Sequence, residues 1–444
     1  MRNIKKIILT LLLVIPVTSY AFSGGSGTKE DPYQIRTCPE LQNIITLLAE
    51  HFILIDNVNC NLWDYGDGGG FMPLGNLTTP FTGKLDGNNF KVSYIKINRY
   101  LQDNIGIFGV TLNAEITNVN LDNIYILGKS NVGGLVGFAK SGTKISNVYA
   151  SLSEINADYS HVGGLVGRSE GTSNVRNTIQ NSSVDLIVKA APEGSTSVGG
   201  MVGSASYADI SNSHALGTVS GNARVGGLAG SLGSSITLLN TYATALVHGW
   251  YDIGGLVGSV STFPPSHITN SYATGKVVIE DGNAGGLIGS AYNLLIDSCY
   301  ATGEVESLTT SQTFNTGGLV GDFTAGGMLK NSYATGAVTN NHGVLGGLVG
   351  RLSDSTVSHS YSVGRVSGTN SWAIGGLIGA FRDDASVVGS YWNTITSGQL
   401  GSAGGTPKTT IEMYQQATYV DWDFANTWKI NQGFDYPHLQ WEQK

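Results

Sequence analysis

The chain has 444 residues, 62 of them glycine and only 10 proline, with 13% charged residues and a formal net charge of −8. Glycine that recurs with strand-like phrases excludes collagen and disorder, and the acidic balance makes nucleic acid and anionic membranes poor partners. Residues 1–21 read as a secretory leader: Arg2, Lys5 and Lys6 precede an apolar run at 7–17, and Ser19-Tyr20-Ala21 fits a small-x-small cleavage site. Cleavage takes the net charge from −8 to −11 and leaves no transmembrane segment in the mature chain.

Residues 22–104 form an N-terminal cap with its first strands. A short strand is expected at 34–36. Leu41, Ile44, Ile45, Leu48 and Phe52 fall near helical spacing, so a helix over 39–51 is the expected cap, followed by a strand at 52–55. Cys38 and Cys60 could pair in an oxidising compartment or remain buried thiols. Asp64 and Asp67 lie in a glycine-rich loop at 63–70. They are weak calcium candidates, because the spaced ligand series of a calcium loop is missing; a solvated turn is the plainer reading. Asp86-Gly87-Asn88 signals a turn between strands.

Residues 105–393 are a repeat array. The phrase Val-Gly-Gly-Leu-Val-Gly at 132–137 returns at 162–167, as Gly-Gly-Met-Val-Gly at 199–203, and again from Gly226, Gly254, Gly285, Gly317, Gly346 and Gly375, at intervals of 27 to 36 residues. A second phrase, Ile-x-Asn-Ser-Tyr-Ala-Thr-Gly-x-Val, is fullest at 268–277. A fixed period in this range is the signature of stacked repeats, and β-branched, aromatic and small residues bounded by turn formers read as strands. The expected fold is an all-β right-handed parallel β-helix of about ten coils, with three short strands per coil and a height of roughly 48 Å.

Residues 394–444 form the C-terminal cap. A short helix is expected at 409–417, and Trp422, Trp428 and Trp441 mark an aromatic plug over the last coil or, alternatively, a sugar-binding platform.

Stacking places like residues above like. Asn147, Asn212, Asn240, Asn270 and Asn331 should form an amide ladder. Tyr149, Tyr242, Tyr272, Tyr300, Tyr333, Tyr361 and Tyr391 should form an aromatic stack, either in the core or as an outer stripe for glycans. Strand alternation puts the Ile, Asn and Tyr of the second phrase on one face. Asp322 and Arg351 occupy like slots of adjacent coils, so a surface ion pair is expected. The adjacent Leu135 and Val136 must either turn one apolar column outward or mark a bend permitted by the glycines.

Catalytic patterns are sparse. Nucleophile elbow, phosphate loop and Cys-x-x-Cys are missing, and Cys299, in a slot filled elsewhere by Ser, reads as a packed residue rather than a nucleophile. Asp354 and Asp384 each lie three residues before the apolar residue opening a second phrase, and so could stack as a pair for acid/base chemistry on polysaccharides; solvated turn acids are the plainer reading.

The glycine phrase, here Gly134-Leu135-Val136-Gly137, together with 270–275, Asp86-Gly87-Asn88 and Ser390-Tyr391-Trp392, resembles the GLUG-motif repeats of bacterial exported proteins. The resemblance implies a solenoid in surface or secreted proteins, adhesin-like ones included, and carries no catalytic residue set and no cofactor. Such repeats accompany some zinc metallopeptidases that cut immunoglobulin A, but the His-Glu-x-x-His motif does not occur in this chain. The reading is a secreted or cell-surface binding or adhesion module for an extracellular glycan or protein. A β-helical polysaccharide lyase or hydrolase and a structural spacer of an envelope assembly are the alternatives, and periplasmic residence is a further option.

Overall fold

The computed structural model describes residues 21–191, 194, 197–308 and 314–442. The leader read at 1–21 lies outside these residues but for Ala21. Three sheets of 21, 20 and 9 strands wrap one continuous apolar core that runs from Ile35 to Trp392. Their pairings are parallel and stay in register from turn to turn, Leu85 on Ile116, Ile116 on Ile145, and so on to Val357 on Val387. The chain is a parallel β-solenoid of about eleven turns, against the expected ten or so.

One turn shows how the phrases work. Val132–Gly133 lies in the smallest sheet, Val136–Lys140 and Lys144–Ser146 in the largest, and Tyr149–Ala157 in the third. The strand boundaries therefore fall inside each sequence phrase, and each phrase is a corner rather than a strand. At the first corner the chain bends at Gly134 and Leu135, and both Leu135 and Val136 are fully buried. A Cβ on Gly134 would run into the carbonyl of Gly164 in the next turn, so close stacking requires glycine there. The bend accounts for two adjacent apolar columns, and no outward strip results.

The second corner is made by asparagine. Asn147, Asn212, Asn240, Asn270 and Asn331 all have φ between 49° and 54°, a left-handed conformation that asparagine adopts more readily than most L-residues. Asn147, Asn212, Asn240 and Asn270 each donate from Nδ2 to the Oδ1 of the residue one turn earlier, at 2.9 to 3.3 Å. Asn331 donates instead to Asp297. The corner also resets the alternation. Ile268 and Ser271 face the core, while Tyr272 faces outward. The expectation that Ile, Asn and Tyr share a face fails because one residue at positive φ breaks the period of two.

The inward Ser forms a ladder that sequence reasoning missed. The N–H groups of Ser182, Thr241, Cys299, Ser332 and Ser360 each donate to the hydroxyl one turn later, at 3.1 to 3.2 Å. The hydroxyls of Ser332, Ser360 and Ser390 donate in turn to the carbonyl two residues before them. Buried corner N–H groups are thereby satisfied.

The N-terminal end is closed by a helix at Cys38–Asn43 continued by a 3-10 turn at Ile44–Thr46. It is shorter than expected because the chain leaves helical geometry at Leu47, with φ of −139°, ahead of the strand at His51–Leu54. Thr37 and Glu40 form a reciprocal capping box, Leu41 and Ile44 are buried, and a disulfide joins Cys38 to Cys60. At the other end Trp392 follows Ala301, Ala334 and Ser362 in one inward column. Its ring lies over Gly376, and its Nε1–H donates to the Gln399 carbonyl at 3.0 Å. Trp392 is therefore the plug of the last turn. The helix expected at 409–417 is Thr410–Met413 plus a 3-10 turn at Gln416–Thr418. Among the described residues, no helix is long and apolar enough to cross a membrane.

Candidate binding groove on the tyrosine ladder

The outward slot after each asparagine corner holds an aromatic column. His214, Tyr242, Tyr272, Tyr300, Tyr333 and Tyr361 stack face to face, with centroids 4.4 to 5.0 Å apart and ring planes within 7°. The spacing is that of the strands themselves. Tyr149 lies in the same column but is separated from His214 by Ser183.

Residues 401–408 lie over the last turn, with Thr406–Lys408 paired on Tyr391–Asn393, and the segment beyond them runs along this column. Trp428 rests on Tyr333 and Tyr361, and Trp422 on Tyr361 and Tyr391, which builds a second apolar cluster outside the solenoid core. The Tyr361 hydroxyl donates to the Pro437 carbonyl at 2.6 Å, and the Tyr333 hydroxyl donates to the Glu442 carboxylate at 3.0 Å. Burial, with Glu442 and a neighbouring phenol adding to it, pushes the Tyr333 phenol well above its usual range. Trp422 and Trp428 are buried. Trp441 is half-buried, tilted against Tyr272 and Tyr300, and donates from Nε1 to the Ser298 carbonyl at 3.2 Å.

Beyond Trp441 the ladder is uncovered. Tyr242, Tyr272, Tyr300, Trp441, Asn240 and Asn270 line a groove of about 530 Å³. Among the described residues no protein group accepts from the hydroxyls of Tyr242, Tyr272 or Tyr300, in contrast to Tyr333 and Tyr361. The stack is thus buried by the tail at one end and a half-buried stripe at the other. Repetition in the second phrase signals the column, but nothing local in the sequence tells where the tail stops.

The other singled-out residues do not join this groove. The register sets Ser353 opposite Arg382 and Thr356 opposite Ser386, so the later turn has one extra corner residue. Asp383, not Asp384, thus occupies the slot of Asp354; these two have φ of 52° and 44°. Asp383 accepts from the Ser353 hydroxyl at 2.6 Å, and both Asp354 and Asp384 are exposed. Asp64 accepts from the N–H groups of Gly68 and Gly70, and Asp67 takes a two-point fork from Arg99, which holds its carboxyl below the usual range. Those contacts organise the loop. Cys299 is buried on the serine ladder, and burial pushes its thiol up to about 12. Asp322 and Arg351 form the expected pair, with Asp322 only 8% exposed.

Comparison with known proteins agrees with the repeat reading. The chain is 33% identical over 430 residues to a protein of Evansella cellulosilytica described as a Gly-rich membrane protein, covering 95% of this chain and 46% of that one. It is 26% identical over 208 residues to the immunoglobulin A1 protease of Streptococcus sanguinis, covering 45% of this chain and 10% of the relative. The chain spans less than half the length of these curated relatives. Among solved structures, one described as an immunoglobulin A1 protease from Bacteroides ovatus aligns over 95% of this chain and 96% of that chain, at 17% identity and a TM-score of 0.43. Residues 251–278 match the GLUG motif. That match spans the corner of Gly254-Gly255-Leu256, the asparagine corner at Asn270 and the ladder residue Tyr272, so the chain carries the GLUG motif as very nearly one turn of its solenoid.

Proposed function

We propose that this chain is an exported or cell-surface β-solenoid that acts as a non-catalytic binding or adhesion module, with the open part of the tyrosine ladder as its binding element. The observation that carries the reading is the contrast along one column: Tyr333 and Tyr361 are covered by the tail and hydrogen-bonded, while Tyr242, Tyr272 and Tyr300 line an open groove. Apolar surface with convergent polar groups in a concave place is what a binding site requires. The leader-like residues 1–21 and the relative described as a membrane protein support export or a surface location.

The test is retention of residues 22–444 on immobilised polysaccharides, matrix proteins and immunoglobulin A1, the last because relatives are named for acting on it. Retention lost on Tyr272→Ala supports the module. New reducing ends, or cleaved immunoglobulin, abolished by changing Asp354 or Asp384 would replace it with an enzyme. Neither retention nor cleavage would favour a structural spacer.

A further inference from the structure

We infer that the groove takes a polypeptide rather than a glycan: an extended partner segment that carries an aromatic side chain and presents carbonyl or carboxylate oxygens to the phenols of Tyr242 and Tyr272. The inference rests on the binding-module reading and names the ligand class of that site. Two observations support it.

The first is the orientation of the rings. Tyr242, Tyr272 and Tyr300 stack at 4.8 Å with planes 5° to 6° apart, so each face is covered by the next ring. A pyranose packs its C–H groups on an open aromatic face, and these faces are closed. What the column presents outward is ring edges, which carry partial positive charge, and hydroxyl donors. Both suit oxygen acceptors.

The second is that the chain already shows such an occupant on the same column. Its own tail covers the following rungs with Trp428 against Tyr333 and Tyr361, the Pro437 carbonyl on Tyr361 and the Glu442 carboxylate on Tyr333. Trp441 reaches Tyr272 and Tyr300, where this coverage ends. The groove continues that interface, because Tyr242 and Tyr272 repeat the slot of Tyr333 and Tyr361 in earlier turns, with the Glu442 carboxylate lining its tail end. A segment like 434–442, with aromatic residues, a proline and carbonyl acceptors, is therefore matched to the open rungs, its acidic ends lying away from Glu442.

The probe is a fluorescently labelled synthetic peptide of residues 434–442, titrated against residues 22–444 by polarisation, beside labelled cello-, xylo- and chito-hexaose. The peptide is expected to bind. Tyr242→Phe, which removes one donor, should weaken it about fivefold, and Tyr242→Ala should weaken it more. Tyr242 has no aromatic contact with the tail, so displacement of the tail alone would leave these variants unaffected. Unchanged circular dichroism of each variant checks the fold. Peptide binding insensitive to Tyr242 overturns the inference. Sugar binding sensitive to Tyr242, without peptide binding, also overturns it and leaves the binding module standing. Binding of neither probe, with no retention on the wider panel, overturns both.

Discussion

Arg351 closes a two-point fork on Asp322 of the preceding turn, its Nε donating to Oδ1 at 2.7 Å and its Nη2 to Oδ2. The pair is less exposed than a surface reading implies, with side-chain exposures of 11% for Asp322 and 29% for Arg351. Arg351→Ala strands a nearly buried carboxylate, so it should cost about 2 kcal/mol, more than Asp322→Ala. A double-mutant cycle by urea denaturation measures the coupling, and equal, additive costs would contradict the account.

The serine ladder predicts a local effect. Ser332→Ala removes the acceptor of the Cys299 N–H and should destabilise by about 1–3 kcal/mol. Ser332→Thr keeps a hydroxyl in the slot and should cost less than Ser332→Ala. Hydrogen exchange at the Cys299 amide separates this from a general loss of stability.

The asparagine corner makes a conformational prediction. Asn270 has φ of 49°, so Asn270→Ala should cost about 1–2 kcal/mol in backbone strain, beyond the ladder bond. Asn270→Gly should recover most of the loss. The chain makes that exchange itself, because Gly389 holds the slot with φ of 50°. A melting temperature equal for Ala and Gly would refute the strain term.

Docking of the tail should depend on pH. His438 lies 3.4 Å from Glu442 and 3.1 Å from Asp435, and its hydrogen bonds, led by Glu442, raise its pKa. A raised folded pKa means that the protonated form stabilises the docked tail fully below the unfolded value. That contribution is lost as pH rises through the folded value. Protection of residues 428–442 in hydrogen exchange, corrected for intrinsic rates, should therefore fall from pH 6 to pH 8. His438→Ala should flatten the profile.

Columns were legible because stacked slots repeat in the sequence, and the amide ladder and the Asp322–Arg351 pair follow from counting slots. Facing was not legible, because Asn270 takes a left-handed corner and the strand period cannot be carried from Ile268 across to Tyr272. The pairing of Asp354 with Asp383 depends on one inserted corner residue, which only the register reveals. The place of Trp441 was also hidden, since its indole meets a carbonyl 143 residues away and no local pattern encodes that contact.

The hidden serines give the solenoid a direction. Each hydroxyl serves the N–H of the turn before it and anchors itself on a carbonyl of its own turn. Removing turns from the N-terminal side leaves a serine still bonded. Removing them from the C-terminal side leaves a buried N–H with nothing to meet. On this ladder, an array cut short is therefore complete at its beginning and unfinished at its end. During synthesis, each emerging turn supplies the serine acceptor for the one already made, so on this ladder, among the described residues, only the last turn is left without a partner.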